Sequence, residues 1–369
     1  MSLFLKGYMS LKVLHVINSL SLGGAEKMLT EILLENKKNN NDEYSIFILN
    51  DTESFFMEKL IKANVKIYIP KSNKFSNLLY LYKVIKSYQV IHAHLFPSLY
   101  IVGFLSLFSR DKMYVFTEHN SYNRRRDKSY LRFIERLIYS RYSAIIAISD
   151  GTRLNLLKWL GIKFNSKVVT IDNGVNLNQL TSINNLPVEY LGTQNTFKML
   201  MVGSFTPQKD QHTIIRALTR LPKHVALYLV GEGIQRSELE DLVTELCLTE
   251  RVFFLGTRND IPEVMHACDL VIQSSHWEGF GLVAVEAMAA GKVIIASNVD
   301  GLKQVVEGYG LIFDKGSDKH LAALVINLIE NNSYMEELRE QCKKRSLDFS
   351  IEKVSEKYNQ LYFKFIRNN

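Results

Sequence analysis

Short apolar runs recur along the chain, each followed by a stretch whose apolar residues return at helical spacing. In the first half the runs fall at residues 12–18, 44–49, 65–69, 90–93, 113–116, 144–148 and 167–171. Runs of this length, alternating with helical segments, predict a parallel α/β sheet. Between residues 172 and 196 the pattern lapses into Asn, Gly, Gln, Thr and Pro, which suits a connection better than another strand and helix. A second series follows at residues 197–202, 226–230, 252–255, 270–273, 293–296 and 311–313. The expectation is two Rossmann-like domains facing across a cleft, residues 1–175 and 197–349, joined by a linker at 176–196. Ligands in such sheets bind beyond the C-terminal ends of the strands.

A length of 369 residues suits two domains of this kind, and 47% hydrophobic with 22% charged residues is ordinary for a globular protein. The net charge of +7 favours an anionic partner: nucleic acid, an acidic membrane surface or a phosphorylated substrate. Basic residues are dispersed and no recognition motif appears, which argues against nucleic acid. Cys247, Cys268 and Cys342 are far apart and lack metal-ligand spacing, so a reducing compartment is the simplest expectation. The first twelve residues show no long apolar core or cleavage site, and Met9 is an alternative start to Met1. The longest apolar run, residues 99–108, is too short to span a bilayer.

Residues 276–291 carry the most chemistry. They follow the apolar run 269–273 and pass through Gly279 and Gly281 into a helical pattern that stops at Gly291. A helix start exposes unpaired N–H groups and a partial positive charge, and glycines before it let a phosphate approach. Glu278 and Glu286 bracket that anion site, and carboxylates there suit hydroxyls, not phosphate. Hydroxyls on both sides of a diphosphate describe a nucleotide-sugar. The plainer alternative is that Glu286 complements the helix dipole and Glu278 is a solvated loop residue. Glu286, however, lies among Val283, Ala284, Val285, Ala287, Met288 and Ala289, where a charge needs partners.

The string Glu-Gly-Phe-Gly-Leu-x-x-x-Glu-Ala-Met-Ala, residues 278–289, resembles the donor-site signature of family 4 glycosyltransferases, retaining enzymes of the GT-B fold. The resemblance is strongest over residues 197–313, moderate over 12–35 and weak between 40 and 110. It implies that Phe280, Gly281, Leu282 and Glu286 bind the donor and that Glu278 is catalytic. It also implies that residues 350–369 form a C-terminal helix packing back on the N-terminal domain.

Other positions take meaning beside this signature. Gly23 and Gly24, in Gly-Gly-Ala-Glu after the first strand, read alone as a tight turn. The resemblance places them against the donor phosphates. Lys209, after the strand 197–202, would be a point charge for the departing diphosphate, in a catalytic and a donor-binding role. The family usually adds an arginine just after the strand glycine, and Ser204 stands there instead. Arg258, in a loop that the family sets beside the base, has two readings, stacking on the base or facing solvent. His119 matches a family histidine near the reacting sugar. His92 and His94 share one strand face and are weaker acceptor-site candidates, and Glu118 is a base only if it faces the cleft. No Asp-x-Asp pair occurs, so no metal and no other cofactor is expected. Arg124, Arg125 and Arg126, before an aromatic and basic helical run, suit an anionic membrane face or a solvated helix side.

The resulting expectation is a retaining glycosyltransferase in the cytoplasm, at the inner face of the membrane. It would move a sugar from a nucleotide-sugar, UDP-linked by analogy, to a glycan or polyprenyl-diphosphate-linked glycan in cell-envelope polysaccharide synthesis. A UDP-sugar epimerase of the same fold and a non-catalytic nucleotide-binding protein are the alternatives. A nicotinamide dehydrogenase is excluded by its fingerprint: Gly231-Glu232-Gly233 begins one, but Arg236 stands where the third glycine belongs.

Overall fold

The computed structural model describes residues 10–21, 23–38, 42–50, 54–70, 73–121, 123–181 and 196–367. Met1, Met9 and most of the expected linker lie outside these residues. The chain divides into two compact units, Met1–Asn173 with Ile351–Asn369, and Gly174–Ser350.

The first unit is built on a seven-stranded sheet in the order β3-β2-β1-β4-β5-β6-β7. Its strands are β1 Lys12–Ile17, β2 Glu43–Ile48, β3 Lys66–Tyr68, β4 Val90–His94, β5 Met113–Glu118, β6 Ala144–Ala147 and β7 Val168–Thr170. Every pairing is parallel. Each residue of β4, β5 and β6 is buried. Side chains alternate between faces, so unbroken burial means that helices cover both faces, as the unbroken apolar runs require.

The second unit carries a six-stranded parallel sheet in the order β10-β9-β8-β11-β12-β13. These strands are β8 Phe197–Val202, β9 Val225–Val230, β10 Val252–Gly256, β11 Leu270–Gln273, β12 Val293–Ser297 and β13 Leu311–Phe313. In each sheet the chain winds outward in both directions from one internal pair, β1 with β4 and β8 with β11. Loops leaving such a pair diverge and open a crevice at the strand C-termini.

The helix Ile351–Arg367 belongs to the first unit and packs on the helix Gly24–Lys37. Its contact is polar as well as apolar. Ser355 Oγ and Asn359 Nδ2 donate to the buried Asn36 Oδ1 at 2.9 and 2.8 Å, while Asn36 Nδ2 donates to the Ile32 carbonyl at 3.0 Å. The buried amide is thereby satisfied on both sides, which a core position demands.

Candidate active site

In the second unit the site grows from the crevice between β8 and β11. Two loops leave it, residues 203–210 after β8 and 274–281 after β11, and hydrogen bonds join them. His276 N–H donates to the Gln208 carbonyl at 2.8 Å, Gln208 Nε2 to the Trp277 carbonyl at 3.1 Å, and Ser274 Oγ to the Asp210 carbonyl at 2.8 Å. Asp210 has φ +54 and caps the following helix, accepting from Thr213 N at 3.3 Å and Thr213 Oγ1 at 2.6 Å. The turn before it directs Lys209 across the crevice, where Nζ lies 2.5 Å from Glu278 Oε2. Both side chains are about 15% exposed, so neither charge is swamped by solvent.

Gly281, with φ +93, begins the helix Leu282–Ala289. A Cβ on Gly281 would stand 2.6 Å from Leu302, so the left-handed turn and the close packing both require glycine. A second close approach supports the loop from behind: a Cβ on Gly301 would lie 2.5 Å from the Glu278 carbonyl oxygen. Glu286, one turn into the helix, is 3% exposed. Leu282 is half-buried at the first helical position. Phe280 lies in the turn before the helix. The residue is 2% exposed and its ring sits edge-on to Phe349 with centroids 5.4 Å apart, so the side chain is turned into the core.

Ser204 brings no charge to the position where the family carries arginine, and its carbonyl accepts from Gln211 Nε2 at 3.0 Å. Arg258 is held bidentately by Asp260, Nε to Oδ1 at 2.7 Å and Nη2 to Oδ2 at 2.5 Å. It follows β10, two strands from β8, which puts it roughly 10 Å along the sheet from the Lys209 loop. Gly231 and Gly233 are packing residues. A Cβ on either would fall within 2.1 and 2.4 Å of the Gly203 and Phe205 carbonyl oxygens. Sequence reasoning assigned no role to His276, whose Nε2 lies 3.6 Å from Asp210 Oδ2 and whose Nδ1 is buried without a hydrogen-bond partner. Its place just beyond β11 was the available signal.

In the first unit, Gly23 is extended (φ −159) and Gly24 opens the helix after β1. The Glu26 carboxylate folds over Gly23, 2.3 Å from where a Cβ would be, and burial raises its pKa. Glu118 is no solvent-facing base: Oε2 accepts from Arg126 Nη2 at 2.6 Å and from Tyr139 OH at 2.8 Å. His15 on β1 and His92 and His94 on β4 are fully buried, and His119, just after β5, is 8% exposed. Their ring nitrogens lie close enough for a metal to be considered at His15, His92 and His94. Side chains already engage nitrogens of this cluster, however. His92 and His94 stack with centroids 4.2 Å apart, and both His92 nitrogens are engaged, Nδ1 with Tyr362 OH at 2.6 Å and Nε2 with Thr117 Oγ1 at 2.7 Å. Burial drives all four imidazoles down, His15 and His119 to about 3.

Several arginines of this run are engaged within the first unit. Arg125 Nε faces the buried Glu135 at 3.4 Å, and Arg126 pairs with Glu118. Arg132 Nε donates to the Trp159 carbonyl at 2.6 Å and Arg136 Nε to the Leu160 carbonyl at 2.7 Å. These two arginines cap the C-terminus of the helix Asp150–Leu160, where its dipole is negative. The helix Leu131–Ser140 exposes Phe133 (70%), Leu137 (55%) and Ile134 (45%), besides Ser140 at its end.

The family model "Glycosyltransferase Family 4" matches residues 22–179, and "Glycosyl transferases group 1" matches residues 185–347. The O-antigen biosynthesis glycosyltransferase WbnH of Escherichia coli is 26% identical over 94% of this chain and 97% of its own length. The UDP-Gal:alpha-D-GlcNAc-diphosphoundecaprenol alpha-1,3-galactosyltransferase of Escherichia coli is also 26% identical, over 79% of this chain and 80% of its own. Against three other relatives the chain spans about half of their length (51, 50 and 48%). The crystal structure of Anabaena Alr3699/HepE in complex with UDP superposes with a TM-score of 0.85 at 24% identity, over 96% of this chain and all of that one. With both sheets matched by these models and this fold, the chain belongs to the family 4 glycosyltransferases and has the GT-B fold.

Proposed function

We propose that the chain transfers a sugar, with retention of configuration, from a UDP-linked nucleotide-sugar to a glycan or polyprenyl-diphosphate-linked glycan in cell-envelope polysaccharide assembly. The observation that carries this reading is the Lys209–Glu278 pair at the β8/β11 crevice, beside the helix start at Gly281. Lys209 and the helix N–H groups meet the negative charge that grows on the departing diphosphate, so no divalent cation is required. Glu286 accepts from ribose hydroxyls and Glu278 from hydroxyls of the transferred sugar. His119 contacts the reacting sugar, and Arg258, at its distance from Lys209, serves the nucleoside. The acceptor hydroxyl attacks on the face that the diphosphate leaves, and a phosphate oxygen takes the proton. The protein's contribution is positioning and charge.

The UDP in the HepE complex and the UDP-galactose and diphosphoundecaprenol in the Escherichia coli enzyme's name support the donor and acceptor classes. The acceptor's lipid points to a peripheral seat on the membrane. No helix among the described residues is long and apolar enough to cross it. The face of Phe133, Ile134 and Leu137 is the proposed contact, burying aromatic and aliphatic groups at the interface.

A panel of nucleotide-sugars, read by thermal stabilisation and by hydrolysis or transfer, tests the proposal. UDP-sugars are expected to stabilise the chain and to be consumed, with the product anomer matching the donor. Stabilisation by none of the panel, or an inverted product, would overturn it.

A further inference from the structure

Among the described residues, three imidazoles form one hydrogen-bonded line through the core of the first unit. His15 Nδ1 lies 2.9 Å from His94 Nε2, and His94 Nδ1 lies 3.1 Å from His119 Nε2. The line ends at His15 Nε2 and His119 Nδ1, both buried and without a partner. A neutral imidazole has one N–H and one bare nitrogen, so the two hydrogen bonds must run in the same direction. With three N–H groups and two bonds, one N–H is left over at one end of the line. Leaving it on His15 would bury an unmet donor at a fully enclosed site, hemmed by the rings of His92 and His94 with centroids 5.1 and 5.2 Å away. Unmet buried donors are rarer than unmet acceptors. Leaving it on His119 places it just beyond β5, in a residue that is 8% exposed where His15 is 0%, the end of the line that a ligand can reach.

We infer that His15 and His94 fix His119 as the Nδ1–H tautomer, so that His119 meets its ligand as a neutral hydrogen-bond donor and not as a base. The group it would serve is a sugar oxygen, a hydroxyl or an N-acetyl carbonyl, and that identification rests on the transferase reading above. His15 and His94 touch no substrate and are positioning residues. Stacking supports the neutral state, since adjoining parallel imidazoles repel a second proton, and burial adds to it by holding all three well below the usual histidine range. His92 stands outside the line because hydroxyls occupy both of its nitrogens.

The test needs no substrate. In the full-length chain labelled with 15N-histidine, two-bond proton–nitrogen correlations separate the two tautomers. His119 is expected as Nδ1–H at neutral pH, although free histidine in water favours Nε2–H. A His94→Phe variant breaks the line and is expected to return His119 to Nε2–H. In His94→Asn the amide nitrogen takes the place of Nδ1 and is expected to keep Nδ1–H. The same pair read in transfer assays should show a loss of about three- to tenfold for His94→Phe, the worth of one neutral hydrogen bond, recovered in part by His94→Asn. His119 found as Nε2–H or as imidazolium in the unaltered chain overturns the inference, even if sugar transfer is confirmed. Nδ1–H in a chain that moves no sugar upholds it while the transferase reading fails.

Discussion

Lys209 and Glu278 face each other across the β8/β11 crevice at 2.5 Å, one from each diverging loop. A diphosphate bound there must share the ammonium with a carboxylate already holding it. Removing the cation by Lys209→Ala is therefore expected to lower turnover by roughly 10²- to 10³-fold, the cost of losing one contact to developing charge. Glu278→Gln should do the opposite to UDP, which has no sugar for the carboxylate to bind: affinity measured by calorimetry rises several-fold while transfer falls. Excess EDTA should leave the rate unchanged, and strict loss of turnover on chelation would refute a charge supply made of Lys209 and helix ends alone.

Gly301 carries the carboxylate loop on its back. Because a Cβ there would come within 2.5 Å of the Glu278 carbonyl oxygen, Gly301→Ala must push that backbone aside. Overpacking of this kind costs about 1–3 kcal/mol, a fall in melting temperature of several degrees by calorimetry. Activity should fall further than the loss of folded protein explains, since the displaced segment holds the side chain opposite Lys209. A variant with normal activity per folded molecule would contradict this.

The buried histidines set a sign for acid stability. His15 and His119 are held at about 3 by burial, against 6.5 for the ordinary group. Between those values the unfolded chain binds protons that the native chain does not, so stability falls as pH drops below 6.5. The slope is about 1.4 kcal/mol per histidine per pH unit. Melting temperature is expected to decline between pH 7 and pH 5, less steeply in a His15→Gln variant. A flat profile would show that these rings take up protons in the folded state.

The exposed apolar face of the helix Leu131–Ser140 can be told apart from its arginines. Phe133→Asp with Leu137→Asp should release the chain from anionic vesicles in co-sedimentation without changing its melting temperature. Arg126→Ala should instead destabilise the first unit by about 3–5 kcal/mol, because it leaves the buried Glu118 without its cation. Release by Arg126→Ala of a chain that stays folded, with no effect of the two aspartates, would restore the charge-driven reading.

The strands were legible because the central ones are buried on both faces and so spell unbroken apolar runs; all thirteen described strands coincide with predicted runs to within two residues at either end. The glycine turn and helix at 279–291 were legible for the same local reason. Direction of side chains was not. Phe280 lies within a donor signature, yet its ring turns into the core against Phe349, 69 positions away. Arg132 and Arg136 read as a basic surface until helix packing brings the carbonyls of Trp159 and Leu160 to them. Strand spacing put His92 and His94 on one face, but His15 joins them only through the pairing of β1 with β4, a contact between residues 79 apart. Local pattern gives elements and their ends; partners distant in the chain come from topology.

The polar seam between Asn36 and the helix Ile351–Arg367 bears on how the protein is made. The ribosome completes β1 to β7 and then a whole second unit before Ser355, Asn359 and Tyr362 emerge. Until then Asn36 Oδ1 and His92 Nδ1 lack their native partners. The first unit's folding during translation is therefore provisional, closed only when that final segment arrives.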